Sequence, residues 1–128
     1  MSRVEVDFKL LVSDGNMTSF VTDGLYEKKE GFNRLTFVEQ TDIKALTKID
    51  IYNDKILLDR KGSIHMKMEY IMNESTMVYM KTDFNYELSM SNYTKFVKIE
   101  DNLIEVIYQT ETDKEQNLTH QLVISWHE

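Results

Sequence analysis

Three residues of this chain carry chemistry at places where the surrounding pattern asks for apolar side chains: Arg60, Tyr108 and His120. Arg60 lies in Ile56 to Tyr70, ILLDRKGSIHMKMEY, whose even positions are Ile56, Leu58, Arg60, Gly62, Ile64, Met66, Met68 and Tyr70. Successive side chains of a strand point to opposite faces, so this reads as a long strand with Arg60 on its apolar side, unless Gly62 marks a bulge that resets the register. A guanidinium inside a barrel can clamp a carboxylate or phosphate through two parallel hydrogen bonds. It can equally be a structural arginine paired with an interior acid or with carbonyls. The structural reading weighs more, because a small barrel can be filled by its own side chains. Either way an inward Arg60 needs a partner, since a buried unpaired charge costs several kcal/mol.

His120 lies among Leu118, Leu122, Ile124 and Trp126. It could join Arg60 and Tyr108 in a polar interior cluster, as a ligand contact or a general base; the plainer reading is a core histidine satisfied by one hydrogen bond. Met66, Met68, Met80 and Met90 fall on expected interior faces, where methionine suits either ordinary core filling or a flexible apolar guest. Tyr26, Tyr70, Tyr86 and Phe84 are read the same way, as aromatic core or cavity wall. The candidate ligand-binding set is therefore Arg60, Tyr108, His120, Met66, Met68 and Tyr86. No catalytic residue is assigned, because no Gly-x-Ser-x-Gly elbow exists and no nucleophile–base pair can be read from spacing. Cysteine is absent and no His-x-His or His-x-x-x-His spacing occurs, so no metal site is expected. The four glycines, at 15, 24, 31 and 62, cannot make a dinucleotide or phosphate loop, and no cofactor is expected. Glu111, Asp113 and Glu115 alternate through what reads as a solvated hairpin tip, without the glycine-containing spacing of a calcium loop.

The elements that must position these residues are strands. Residues 3–12 set Val4, Val6, Phe8, Leu10 and Val12 against Arg3, Glu5, Asp7 and Lys9. Asp14-Gly15-Asn16 is a turn signal, followed by an extended run from Met17 to about Lys29 in which Gly24 suggests a bulge or bend. Further strand faces are Leu35 with Phe37, Ile43 to Ile51 at odd positions, and Val78 to Met90 at even ones, the last as one bent strand or two. Ser91-Asn92 and Glu100-Asp101-Asn102 bracket a short strand through Phe96, and Ile104, Val106 and Tyr108 lead to the tip before the closing strand. No segment sustains a helical period. Nine or ten short strands, each with one apolar face, indicate an antiparallel meander in a sandwich or, more economically, a closed barrel without exposed edges.

Composition bounds the rest. The 128 residues are 41% hydrophobic and 29% charged, which fits one domain, 1–128, with a real core. The net charge of −7 argues against nucleic acid and anionic membrane surfaces as partners. No apolar run long enough for a signal peptide or a membrane helix occurs, so a cytoplasmic address is expected. Asn-x-Ser/Thr triplets begin at Asn16, Asn73, Asn92 and Asn117 and are read as turn chemistry.

Several of these features together resemble the YwiB-like family of small bacterial proteins. They are Asp23-Gly24-Leu25-Tyr26, Arg60-x-Gly62-x-x-x-Met66 ahead of Tyr70, Thr82-x-Phe84, Tyr108, and His120 before VISW. The resemblance covers nearly the whole chain and implies a calycin-type, lipocalin-like β-barrel of about eight to ten strands. Where the family tends to read Thr-Pro-Phe-Gly, this chain has Thr82-Asp83-Phe84-Asn85. The family implies no established activity. Two functional readings stand: an interior site for a small, partly apolar, acidic or lipid-like ligand, or a filled barrel that docks another protein. Only Asp14-Gly15-Asn16 joins the first strands, where fatty-acid-binding barrels carry a helical lid, so a ligand would enter through an open barrel end.

Overall fold

The alternation at the N-terminus is obeyed residue by residue. In the computed structural model, which describes residues 1–128, Val4, Val6 and Phe8 of β1 (Ser2–Val12) are buried while Arg3, Glu5, Asp7 and Lys9 are exposed. The same period two runs through β2 (Met17–Lys28), β3 (Asn33–Val38), β4 (Leu46–Ile51), β5 (Ile56–Lys61), β6 (Ile64–Tyr70), β7 (Ser75–Thr82), β8 (Glu87–Glu100), β9 (Leu103–Thr110) and β10 (His120–His127). Each strand pairs antiparallel with the next, and β10 returns to β1 with Val12 opposite His120 and Glu5 opposite His127. The result is a closed ten-stranded antiparallel meander with one apolar interior. The one helix is α1 (Glu111–Glu115). An up-and-down path puts alternate turns at the same end. The β1–β2, β3–β4, β5–β6, β7–β8 and β9–β10 connections thus share one end of the barrel.

Five local readings change. Ile56 to Tyr70 is a hairpin rather than one strand, with β5 and β6 joined through Gly62-Ser63 and Gly62 N–H donating to the Ile64 carbonyl at 3.3 Å. Arg60 faces Met66 and Lys61 faces His65. Opposed residues differ by an even number, so both arms keep their even positions inward. Arg60 is interior for the reason the alternation indicated, although the strand is broken. The register reset considered at Gly62 occurs in β8. There Thr94 opposes Tyr108 and Phe96 opposes Ile107, leaving Lys95 as the extra residue of a bulge.

Ser91-Asn92 is no turn. β8 runs straight through it, and Asn92 and Thr94 are buried side by side, with the Asn92 amide donating to Thr94 Oγ1 at 3.3 Å. The other three triplet asparagines do lie in turns, and Asn73 and Asn117 take the left-handed backbone at φ 64° and 55°.

The aromatic face expected inside at the end of the Val78–Met90 run is outside. Phe84 is 94% exposed and Tyr86 67%, and Leu88 is exposed too. The cause is length. β8 pairs with β9 only from Asn92 onward, so Glu87–Ser89 and the turn before them extend past the end of β9 with no barrel wall opposite, while Met90 and Ser91 meet Thr112 and Glu111 of α1. That turn closes without proline or glycine: Asn85 adopts φ 61°, its N–H donates to the Thr82 carbonyl, and Thr82 N–H donates to the Tyr86 carbonyl.

The glutamates read as a hairpin tip form α1 instead. Thr110 Oγ1 accepts the Asp113 N–H and Asp113 Oδ2 accepts the Thr110 N–H, a reciprocal cap at the start of a helix too short to show a period.

Gly24 marks a close approach rather than a bulge, since β2 keeps an unbroken register with both neighbours. A Cβ there would lie 2.7 Å from Val6 Cγ2 and 2.9 Å from the Thr36 carbonyl oxygen. A Cβ at Gly62 would press hardest on Ile43 Cγ2, at 2.7 Å, a side-chain end that can turn away, with the fixed Ala45 Cβ at 3.3 Å and its Cα at 3.7 Å. Gly24→Ala is expected to lower unfolding stability in urea by about 1–3 kcal/mol, and by more than Gly62→Ala; equal losses at the two positions would refute the backbone clash.

Candidate functional site

Glu39 is the next odd position after Leu35 and Phe37, the inward residues of β3, and continues their alternation one step past the strand. Its backbone N–H donates to the Ala45 carbonyl at 2.9 Å, which holds the segment against the barrel wall. The carboxylate accepts Arg60 Nε–H at 2.7 Å and Arg60 Nη2–H at 3.0 Å, a two-point ion pair, and Thr47 Oγ–H at 2.6 Å. Thr47 and Arg60 are direct cross-strand partners on β4 and β5. Glu39 is 5% exposed, while the Arg60 side chain keeps 28% of its surface. This is the interior acid that an inward Arg60 requires.

Beside the pair lies a cavity of about 330 Å³. Phe8, Leu10, Leu58, Met66 and Leu122 form most of its wall, with Thr41, Thr47, Tyr70, Tyr108, Glu39 and Arg60 as the polar part. Arg60 uses Nε and Nη2 on Glu39, which leaves Nη1 unpaired. The Thr41 hydroxyl is buried and has no hydrogen-bond partner. These two groups, with the Thr18 hydroxyl at the exposed start of β2, are open hydrogen-bonding positions of the wall. Its location follows from topology: Glu39, Thr41, Arg60 and Leu10 all lie near the turns that share one barrel end.

Tyr70 and Tyr108 meet with ring centroids 5.0 Å apart, and the Tyr70 hydroxyl donates to Met68 Sδ at 3.2 Å. Burial pushes the Tyr108 phenol up to about 12, with the Asp113 charge adding to the rise and the hydrogen bond with Tyr70 and the Arg60 charge opposing it. Complete burial also raises Tyr70 well above the ordinary phenol value. Both therefore serve as neutral phenols near neutral pH.

His120 stacks on Tyr108, centroids 5.1 Å apart and planes 11° from parallel. Its Nε2 is 2.9 Å from Asp113 Oδ1, and its Nδ1 is buried without a partner. Burial pushes the Asp113 carboxyl upward, but hydrogen bonds from Thr110 and His120 outweigh it and hold the group below its ordinary value of 3.8. The histidine and the acidic helix thus form a strut, with α1 tied to the barrel through Asp113 and His120.

Arg60, Tyr108 and Met66, expected in the site, line the cavity. Met68 is buried in the core and touches the site only through the Tyr70 hydroxyl. His120 stands behind Tyr108, outside the cavity wall, held by one hydrogen bond through Nε2 while its Nδ1 has no partner. Tyr86 is corrected outright: it sits on the projecting β7–β8 hairpin and is solvent-exposed. Sequence reasoning missed Glu39, Thr41 and the part Thr47 plays. Glu39 had a signal, the 35–37–39 alternation; Thr41 lies in an irregular turn and had none.

A closed ten-stranded meander with an ion pair and a partly apolar cavity inside makes this a β-barrel protein. The chain belongs to the DUF1934 family, a domain of unknown function, whose model matches residues 9–124. It is similar to the uncharacterized β-barrel protein YwiB of Bacillus subtilis (strain 168), 26% identical over a 124-residue alignment that covers 91% of this chain and 87% of that one. It also resembles the crystal structure of the ywiB protein from Bacillus subtilis, with a TM-score of 0.82 and 22% identity, covering 98% of this chain and 91% of that one. At that identity the likeness concerns the fold. The YwiB-like resemblance read from the residues is borne out.

Two outcomes follow for the charged groups. Arg60→Met strands a buried carboxylate and is expected to cost about 3–5 kcal/mol in urea unfolding, while Glu39→Leu/Arg60→Met recovers most of that loss. A double variant no more stable than the single one would show that the pair is not what the arginine serves. Asp113→Asn is expected to cost about 1–2 kcal/mol at pH 7. Asp113 has a depressed folded-state value, so its contribution is complete above the unfolded value of 3.8 and disappears as pH falls through the folded one. The gap between wild type and Asp113→Asn should therefore narrow from pH 7 to pH 3. A constant gap would remove the ionised carboxylate from the account.

Proposed function

We propose that this protein is a cytoplasmic, lipocalin-like binding barrel that holds a small, partly apolar molecule in its interior. The observation that carries the reading is the cavity of about 330 Å³, with a mostly apolar wall and a few convergent polar groups. That volume falls at the lower end of the roughly 300–1,000 Å³ range of ligand sites, which suits a compact guest better than a long acyl chain. The apolar part of the guest packs on Phe8, Leu10 and Met66, and its polar end meets Arg60 Nη1 and the Thr41 hydroxyl. Tyr108 borders the site, with His120 supporting its ring.

Binding rather than catalysis is the reading because Glu39, the one carboxylate in the wall, is saturated by Arg60 and Thr47 and has no freedom to act as a general base. No helix is long and apolar enough to cross a membrane. The outward residues of β1 are Arg3, Glu5, Asp7 and Lys9, the opposite of a lipid-facing strand. Together with the net charge of −7, this supports a partner that is neither lipid surface nor nucleic acid.

One observation favours a second reading, a docking module. The β7–β8 hairpin presents Phe84 and Tyr86 to solvent beside a stretch of β8, Glu87–Ser89, that is paired on one edge alone. A protein partner recovered equally by wild type and by Phe84→Ser/Tyr86→Ser would sink the docking reading.

The cavity is tested by filling it. Compounds from a library of small aromatic and aliphatic amides, alcohols and acids are expected to raise the melting temperature of the wild type. They should leave Leu10→Trp unmoved while its circular dichroism stays native. The binding reading is falsified if no compound shifts the wild type, or if both proteins shift alike.

A further inference from the structure

We infer that the interior site selects an uncharged guest whose polar end is a carboxamide, carbonyl or alcohol, and discriminates against carboxylic acids. The inference rests on the binding reading above and reverses the acidic ligand suggested by an arginine on an inward face. Glu39 and Arg60 are the only charged residues lining the cavity. They are bonded to one another through two hydrogen bonds, so the wall has no net charge to offer an anion. A carboxylate brought to Arg60 Nη1 would share that guanidinium with the Glu39 carboxylate. It would be stripped of water beside a like charge, with the apolar wall on its other sides. The two carboxylates would compete for one cation.

An uncharged polar end avoids that conflict and matches what is left open. Nη1 of Arg60 offers N–H donors and needs an acceptor. The buried Thr41 hydroxyl, without a partner in the protein, can donate or accept. A carboxamide supplies both complements at once: its oxygen toward Arg60, and its N–H or oxygen toward Thr41. An unpaired buried hydroxyl is costly, so a guest that reaches Thr41 as well as Arg60 gains more than one that leaves Thr41 open.

The experiment uses matched pairs: benzamide with benzoate, phenylacetamide with phenylacetate, and 3-phenylpropanamide with 3-phenylpropanoate. Each is titrated at pH 7 into the wild type and Glu39→Gln, followed by protein NMR shifts. The amide of at least one pair should bind the wild type tenfold or more tightly than its acid. Glu39→Gln frees the arginine charge at nearly constant shape, and should bind that acid at least tenfold more tightly than the wild type does. Thr41→Val leaves the ion pair intact and should weaken the amide several-fold. It covers the case in which Glu39→Gln does not fold. Acids that bind the wild type as well as or better than their amides would overturn the charge inference and leave the cavity as a binding site. Amides and acids that all fail to bind either protein would remove the binding reading itself, and this inference with it.

Discussion

The ladder between β1 and β10 is the contact on which everything else depends. Its ends are separated by nearly the whole chain, yet it pairs eight residues on each side, from Glu5 with His127 to Val12 with His120. Without it, β1 and β10 would be raw edges of an open sheet, each with a row of unmet backbone groups. With it, every inward side chain of ten strands faces a shared interior, and each apolar residue is buried by strands far away in sequence. Closing so long a loop is entropically expensive. It holds because the two apolar faces it joins are regular: Val6, Phe8 and Leu10 against Trp126, Ile124 and Leu122.

A closed interior must be filled, and this one is filled unevenly. Away from the cavity, Tyr26 and Trp126 meet with centroids 5.4 Å apart and seal the volume with aromatic surface. At the end shared by the β3–β4 and β5–β6 turns, the Glu39 carboxylate is drawn inside by Thr47 and Arg60. A charge pair takes up room but keeps its geometry fixed, because a shift of either partner would leave a buried ion unmet. The side chains around it cannot collapse onto one another, and space remains beside it. The ion pair that answers the structural need of Arg60 is thus also what keeps part of the interior open and electrically balanced.

The same end carries the features that depart from a plain barrel. The β7–β8 hairpin outruns its neighbour, and α1 caps the β9–β10 connection through the Asp113–His120 contact. Turns on both ends use asparagine for left-handed backbone, at Asn73, Asn85, Asn102 and Asn117, in a chain without proline and with only four glycines. At Asn85 this lets the Thr82–Tyr86 turn close without proline or glycine.

The amino-acid sequence by itself determined the strands, their inward faces and the closed meander, because period-two alternation is a local property written into neighbouring residues. It placed Arg60 inside even though the strand around it turned out to be a hairpin, since opposed residues there keep the same parity. It also carried Glu39 in the 35–37–39 alternation, unread because the strand ends before it. Only tertiary structure decided the rest. Whether Tyr86 is buried depends on how far β9 reaches. Whether Glu111–Glu115 winds into a helix depends on a cap at Thr110 and on a histidine seven residues beyond Asp113. Whether Arg60 is free for a ligand depends on an acid twenty-one residues earlier in the chain. Those are facts about which strand ends meet in space, and the residue pattern within one strand holds no record of them.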